Sequence, residues 1–248
     1  MNSGSMTTLL IAVAALWGAA AGALLPRAAY RFSVPSGEDW RDRCPGGHPV
    51  GRWTGRARCA QCAPAERSYG PGTPALVIAT ALVCAALAAA TGTRPELGVW
   101  LLLGPVGVLL AVVDFRVKRL PDVLTLPLAG AALVLLGVVA LLPEHAGDWL
   151  TSLYGALVLG GAFFVLFLIN PGGMGFGDVK LALGLGAALG WYGWPTLMLG
   201  TFAAFVLGAL YGGALVVVRR AGRKTAIAFG PFLITGAFAG LLIGAYAA

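Results

Sequence analysis

The sequence predicts an all-α, polytopic membrane protein with about eight transmembrane helices and one sizeable loop between the first two. Charged residues make up 11% of the 248-residue chain, under half of the about 25% usual in soluble domains, and apolar residues make up 58%. The mean hydropathy of +0.84 agrees with this class. Because a bilayer core offers no water to the backbone, each spanning stretch must be helical.

Eight apolar stretches mark these helices along the chain. They are Thr7–Leu25, Pro74–Ala90, Leu97–Val113, Val123–Leu142, Trp149–Asn170, Val179–Gly190, Trp194–Val218 and Ala226–Ala247. The sixth is the least secure, since it is short and rich in glycine. The chain is thereby divided into a first helix (1–25), a polar loop with cysteines (26–72) and a membrane-embedded domain of about seven helices (73–248). The first stretch lacks a basic region before it, which favours a transmembrane span over a cleaved signal peptide.

The positive charges indicate the topology. With eight helices, 16 of the 17 Lys and Arg residues fall on one side of the membrane, and only Arg94 falls on the other. The positive-inside rule identifies the basic side as cytoplasmic, with both termini facing outward. The net charge of +7 therefore reports the topology of a multi-pass protein in a lipid bilayer, and we expect no nucleic-acid partner.

The polar loop contains a pattern typical of metal ligands. Cys59 and Cys62 have the C-x-x-C spacing of half a tetrahedral zinc site, and Cys44 with His48 offers the other half. A cytoplasmic loop disfavours disulfides. The alternative is a loop of reduced cysteines without metal, and the sequence leaves both interpretations open.

Two aspartates lie at the ends of predicted helices rather than in wet loops. Asp114 ends the third and Asp178 opens the sixth, both on the cytoplasmic side. Ionisable residues near the bilayer core are functional candidates, and two carboxylates sharing a proton can activate water and protonate a leaving group. Gly175 and Gly177 are expected to allow unusual backbone angles and close approach of an extended peptide to Asp178.

Simpler roles compete with this hypothesis. Asp178 is a candidate helix N-cap, and Asp114 is a candidate partner for Arg116 or Lys118. For Asp122, which follows a proline and precedes an apolar run, a capping role is favoured. A different functional class, an ion- or proton-coupled transporter, would use the same two aspartates to bind cations or relay protons.

Four motifs resemble one family in their order along the chain. "GMGFGDVKLALGLGAALGW" resembles the GxGD signature of type IV prepilin peptidases, the A24 family of membrane aspartyl proteases. "DFRVKRLPDVLTLP" is similar to that family's first-aspartate motif. "IAFGPFLITGA" is similar to its last-helix motif, and "GALLPRAAYRF" resembles the segment that joins the first helix to the loop.

The resemblance implies that residues 73–248 form an aspartyl peptidase domain whose catalytic residues are Asp114 and Asp178. The implied reaction removes the short basic leader of type IV prepilins or pseudopilins at the cytoplasmic face, with no cofactor for the hydrolysis. Many members also methylate the new N-terminus with S-adenosylmethionine. Here the chain departs from the family pattern of two C-x-x-C pairs, so methylation stays open, as do the particular substrate and the oligomeric state.

Overall fold

The computed structural model describes residues 3–63, 68–218 and 228–248, and eight helices lie within them. They are α1 (Ser3–Phe32), α2 (Thr73–Thr91), α3 (Glu96–Val117), α4 (Asp122–Val139), α5 (Trp149–Ile169), α6 (Phe176–Trp191), α7 (Trp194–Val217) and α8 (Gly230–Ala247). In these residues the only β pairing is two isolated bridges in the loop. The prediction of an all-α fold is confirmed.

Seven of the eight helices are long and apolar enough to cross a membrane, so the protein is a multi-pass membrane protein. The exception is α6, which has 16 residues and corresponds to the stretch that the sequence left least secure. Some basic residues used for the orientation lie outside the described residues: Arg67, Arg219, Arg220, Arg223 and Lys224.

The described chain forms two compact units. The first comprises Met1–Thr93 and Trp100–Arg119, and the second comprises Arg94–Val99 and Leu120–Ala248. In the first unit, α1 packs closely on α2 through glycine. A Cβ atom at Gly18 would lie 2.5 Å from the carbonyl oxygen of Thr80, and one at Gly22 would lie 2.7 Å from that of Leu76. Small residues allow such helix contact in a bilayer.

The first helix continues beyond its apolar run, through Pro26 to Phe32. A proline inside a helix has no backbone N–H, so the regular series of backbone hydrogen bonds is interrupted there. The loop supplies hydrogen-bond partners at this position. The Arg27 N–H donates to the Gly55 carbonyl at 3.0 Å, and the Gly55 N–H donates to the Leu24 carbonyl at 2.8 Å. Gly55 has φ +114°, a conformation that suits glycine. The loop is thereby attached to the end of α1.

In the second unit, α6 lies among α4, α5, α7 and α8. Its glycines face its neighbours: a Cβ atom at Gly186 would collide with the backbone of Gly155 in α5, and one at Gly184 would lie 3.3 Å from Ala129 in α4. Ten residues of this helix are buried, including Asp178. The small side chains therefore allow a short helix to be enclosed by longer ones.

Contacts between helix ends agree with an alternating path. In the second unit, Arg94, just before α3, donates to the carbonyl of Ala245 near the end of α8. The Asp148 N–H, just before α5, donates to the Trp191 carbonyl at the end of α6. Helix starts that meet helix ends in this way are expected when successive helices run in opposite directions.

Candidate active site and Cys/His cluster

Asp114 lies in the last turn of α3, where its side chain is buried (4% exposed). The helix ends because Lys118 turns to φ +52° and its N–H donates to the Asp114 carbonyl at 2.7 Å. Lysine in the left-handed region costs on the order of 1 kcal/mol, so the surrounding contacts must maintain this turn. The hydrogen bond from the Lys118 N–H therefore fixes the backbone of Asp114 at the end of α3.

Asp178 is the third residue of α6 and is also buried, with 7% of its surface exposed. The N-cap position belongs to Gly175, whose carbonyl accepts from the Asp178 N–H at 3.0 Å. The alternative in which Asp178 is a plain N-cap is therefore wrong. A carboxylate in the first turn benefits from the positive end of the helix dipole, so the position favours a negative charge.

The two glycines before Asp178 differ from expectation. Gly175 has φ −75° and ψ 142°, which any residue adopts, and a Cβ atom there would meet the Asp178 carboxylate only at 3.6 Å. Gly177 lies inside α6, where a Cβ atom would lie 2.9 Å from the Leu120 side chain. The expectation of unusual backbone angles is wrong for this structure, while the approach of a peptide at Gly175 and Gly177 stays a prediction.

Asp122 differs from the two buried aspartates. It begins α4, but Pro121 is the N-cap residue and no side chain caps this helix. The Asp122 carboxylate instead accepts from the Lys180 ammonium at 2.6 Å, and 60% of its side chain is exposed. The favoured capping role is therefore wrong, because an ion pair with α6 takes its place.

The loop brings its four predicted ligands together. Cys44, His48, Cys59 and Cys62 present ligand atoms that all lie within 4.8 Å of one another. The sulfurs of Cys44 and Cys62 are 3.6 Å apart, and His48 Nδ1 lies 3.4 to 3.6 Å from the three sulfurs. Tetrahedral zinc, with bonds of about 2.3 Å to sulfur and 2.0 Å to nitrogen, separates sulfur from nitrogen by roughly 3.5 Å and sulfur from sulfur by roughly 3.8 Å. The four residues form a cluster that can hold a metal ion.

Backbone contacts also fit a metal cluster. The Cys44 N–H donates to the His48 carbonyl at 2.9 Å, which closes a tight turn between these two ligands. A Cβ atom at Gly46 would lie 2.9 Å from the Cys62 sulfur, so glycine leaves room for the sulfur.

The thiols of this cluster differ in acidity. Burial raises the pKa of Cys59, but hydrogen bonds from the Gln61 and Cys62 backbone and from the neighbouring thiols outweigh it and bring that pKa to about 7. Burial, with the other two thiols, raises the pKa of Cys62 to about 12. Cys59 is therefore the more easily ionised of these two thiols, and metal binding to thiolates releases protons.

Sequence reasoning missed several residues beside these sites. Lys180 was counted only as a charge, although it binds Asp122 and lies 4.8 Å from the centre of the Phe176 ring. Arg119 and Trp40, which stack on each other, were not singled out. The available signal was two tryptophans in a polar, arginine-rich loop, a combination that favours cation–π contacts.

Comparisons with known proteins identify the family of the chain. The model of the type IV leader peptidase family matches residues 101–213, a range that includes Asp114 and Asp178. A prepilin leader peptidase/N-methyltransferase of Pseudomonas aeruginosa is 30% identical over 228 residues, covering 88% of this chain and 75% of that protein. Proteins with the same name from Burkholderia pseudomallei (32% over 232 residues, 88% and 70%) and Aeromonas hydrophila (34% over 193 residues, 76% and 63%) are also similar.

No solved structure matches the chain. The relatives are named for prepilin processing and give no support to the transporter alternative. With buried aspartates on two helices of a multi-pass membrane protein, and with relatives similar over most of its length, the chain is a membrane peptidase that belongs to the type IV leader peptidase family.

Proposed function

We propose that this protein is an endopeptidase that removes the short basic leader of type IV prepilins or pseudopilins, using Asp114 and Asp178 to activate water. The observation that carries the proposal is the burial of both carboxyl groups at helix ends within the range matched by the family. Asp122, in contrast, is exposed and paired with Lys180. The names of the relatives supply the substrate class.

Hydrolysis requires two complementary carboxyl groups. One, ionised, accepts a proton from water while the oxygen forms a bond to the scissile carbonyl carbon. The other, protonated, donates its proton to the amine nitrogen as the carbon–nitrogen bond breaks. Two carboxyl groups that share one proton suit this exchange, and the roles belong to the pair rather than to either residue.

The cleavage takes place at the cytoplasmic face of the bacterial inner membrane. The connections that follow α1 and α3, and the first turn of α6, carry the basic residues that the positive-inside rule assigns to the cytoplasm. The same ends of α3 and α6 carry Asp114 and Asp178. A basic leader retained in the cytoplasm would meet these carboxylates on its own side of the membrane.

Zinc is the metal that best fits the Cys/His cluster, with Cys44, His48, Cys59 and Cys62 as ligands. Three sulfurs and one imidazole complete a tetrahedron, and a site with four protein ligands serves folding rather than catalysis. The metal would join two segments of the loop, since Cys44 and Cys62 lie 18 residues apart. The peptidase reaction itself uses no metal here.

We expect the purified protein to contain about one zinc ion per chain, and Cys59→Ser and His48→Ala to lower this content. Metal analysis by mass spectrometry measures the content directly. Cys84→Ala is the matched control, since Cys84 is buried in α2 outside the cluster. Zinc retained in full after both ligand substitutions would contradict the ligand set.

Coexpression with candidate prepilins tests the function. The expected product lacks its leader, which the mass of the new N-terminus shows. The same mass reveals whether a methyl group has been added with S-adenosylmethionine, a second activity that appears in the names of the relatives. No cleavage of any prepilin or pseudopilin by the folded, membrane-inserted protein would overturn the proposed substrate class.

A further inference from the structure

The connection after α3 is attached to the cytoplasmic loop by one arginine. Arg119 follows the left-handed Lys118, and its Nη1 donates to the Pro35 carbonyl at 2.7 Å. The carbonyls of Val34 and Glu38 lie 3.5 and 3.4 Å from the same nitrogen. The guanidinium thus hydrogen-bonds to carbonyl groups of the segment that follows α1.

The Arg119 guanidinium also begins a stack of side chains. It lies 4.5 Å over the Trp40 ring, and Trp40 contacts Phe32 at 5.0 Å between ring centres. Phe32 contacts Trp53 at 5.1 Å, and Arg31 lies 3.9 Å over Trp53. We call these five residues the arginine–aromatic stack. It connects the end of α3 to the end of α1 and to the loop, all within the first unit.

The far end of the stack is fixed. Arg31 is only 9% exposed, and its Nη1 donates to the Val50 carbonyl at 2.8 Å. Val50 packs against Cys44 and Cys62 of the Cys/His cluster. Guanidinium groups stacked on aromatic rings gain more when partly desolvated. A continuous set of contacts therefore leads from the cluster to Arg119.

We propose that Arg119 is a positioning residue for Asp114, and that it uses the folded loop to hold the last turn of α3. This inference rests on the proposed role of Asp114. The Asp114 carbonyl accepts the N–H of Lys118, whose left-handed turn directs the next residue, Arg119, to the loop. The Arg119 contacts with the loop offset the unfavourable Lys118 conformation, so their removal is expected to fray the turn that carries Asp114.

Three variants test the inference. Arg119→Ala is expected to lower kcat for leader removal between about tenfold and 100-fold with KM nearly unchanged, because misplacing a catalytic group costs rate rather than binding. Arg119→Lys, which keeps a donor for Pro35, is expected to recover part of the loss. Arg52→Ala, an exposed arginine of the loop, is the control and is expected to behave as the unsubstituted protein.

Hydrogen exchange of the backbone at 114–118 supplies a readout besides activity. Arg119→Ala is expected to speed exchange there, and Arg52→Ala is expected to leave it unchanged. Trp40→Ala is expected to have the same effect as Arg119→Ala, and the double variant no more than either, because both act through one contact.

The two hypotheses fail differently. Unchanged exchange at 114–118 in Arg119→Ala, or an unchanged kcat, would overturn the positioning role. A different result would overturn the catalytic role of Asp114 instead. In that case Arg119→Ala speeds exchange at 114–118, which supports the contact between Arg119 and the loop, but Asp114→Asn still cleaves prepilin.

Discussion

Asp178→Asn and Asp114→Asn are each expected to abolish leader removal, lowering the rate by at least about 10³-fold, because an amide can neither accept the proton of water nor donate one as a carboxylic acid does. Both side chains are buried, and asparagine has nearly the same volume as aspartate, so the change removes the carboxyl group without repacking its surroundings. The measurement is the fraction of prepilin processed in membranes, followed over time at equal enzyme amounts. The double variant is expected to be no slower than either single variant, since groups that act as a unit are not additive.

Asp122→Asn is the matched control for these substitutions. It makes the same chemical change in an aspartate whose side chain is 60% exposed, and it removes only the ion pair with Lys180. Exposed ion pairs contribute roughly 0–1 kcal/mol, so processing is expected to continue. Retained cleavage in Asp178→Asn, with protein correctly inserted in the membrane, would refute the catalytic assignment.

Gly186→Leu is expected to prevent stable packing of α6 and with it both folding and activity. A Cβ atom at this position would collide with the Gly155 backbone, and backbone cannot move aside as a flexible side chain can. Overpacking of this kind costs about 3 kcal/mol or more. Thermal unfolding of the purified protein in detergent, followed by helix content, measures the loss.

Gly161→Leu is the control for this prediction. Gly161 lies in α5, the partner of α6, and a Cβ atom there meets nothing within 4 Å. The same gain in volume at Gly161 is expected to leave unfolding and processing unchanged. Equal unfolding temperatures for the Gly186 and Gly161 variants would show that the α5–α6 contact does not need glycine.

Much of the fold could be predicted because the bilayer constrains it strongly. The lengths of the apolar stretches located the eight helices. The distribution of positive charge predicted that successive helices run in opposite directions, and the contact between Arg94 and Ala245 agrees with this. The C-x-x-C spacing of Cys59 and Cys62, with Cys44 and His48 as the other half, predicted a four-residue ligand set, and the structure brings the four together. These features depend on local spacing or on average composition, which a sequence displays directly.

The features that escaped prediction depend on contacts between distant segments. Asp122 had the local pattern of a cap, but Lys180 on another helix pairs with it. The sequence predicted that α1 ends at Leu25, but the helix continues to Phe32. Gly55, far along the chain, hydrogen-bonds the backbone of Leu24 and Arg27 beside Pro26. Gly177 was expected to allow unusual backbone angles, but it lies in α6, where a Cβ atom would lie 2.9 Å from the Leu120 side chain. Hydropathy and spacing do not report such pairings.

Cross-linking of Asp114→Cys to Asp178→Cys, in a Cys84→Ala background, tests most directly whether the two aspartates act on one peptide bond. Two cysteines can be bridged only when their Cα atoms lie within about 7 Å, or slightly more with a short bifunctional thiosulfonate. We predict that mass spectrometry recovers a peptide that joins positions 114 and 178, distinct in mass from links to the loop cysteines. Reaction of both cysteines with a monofunctional reagent but with no such link, in the presence or absence of prepilin, would contradict the paired mechanism.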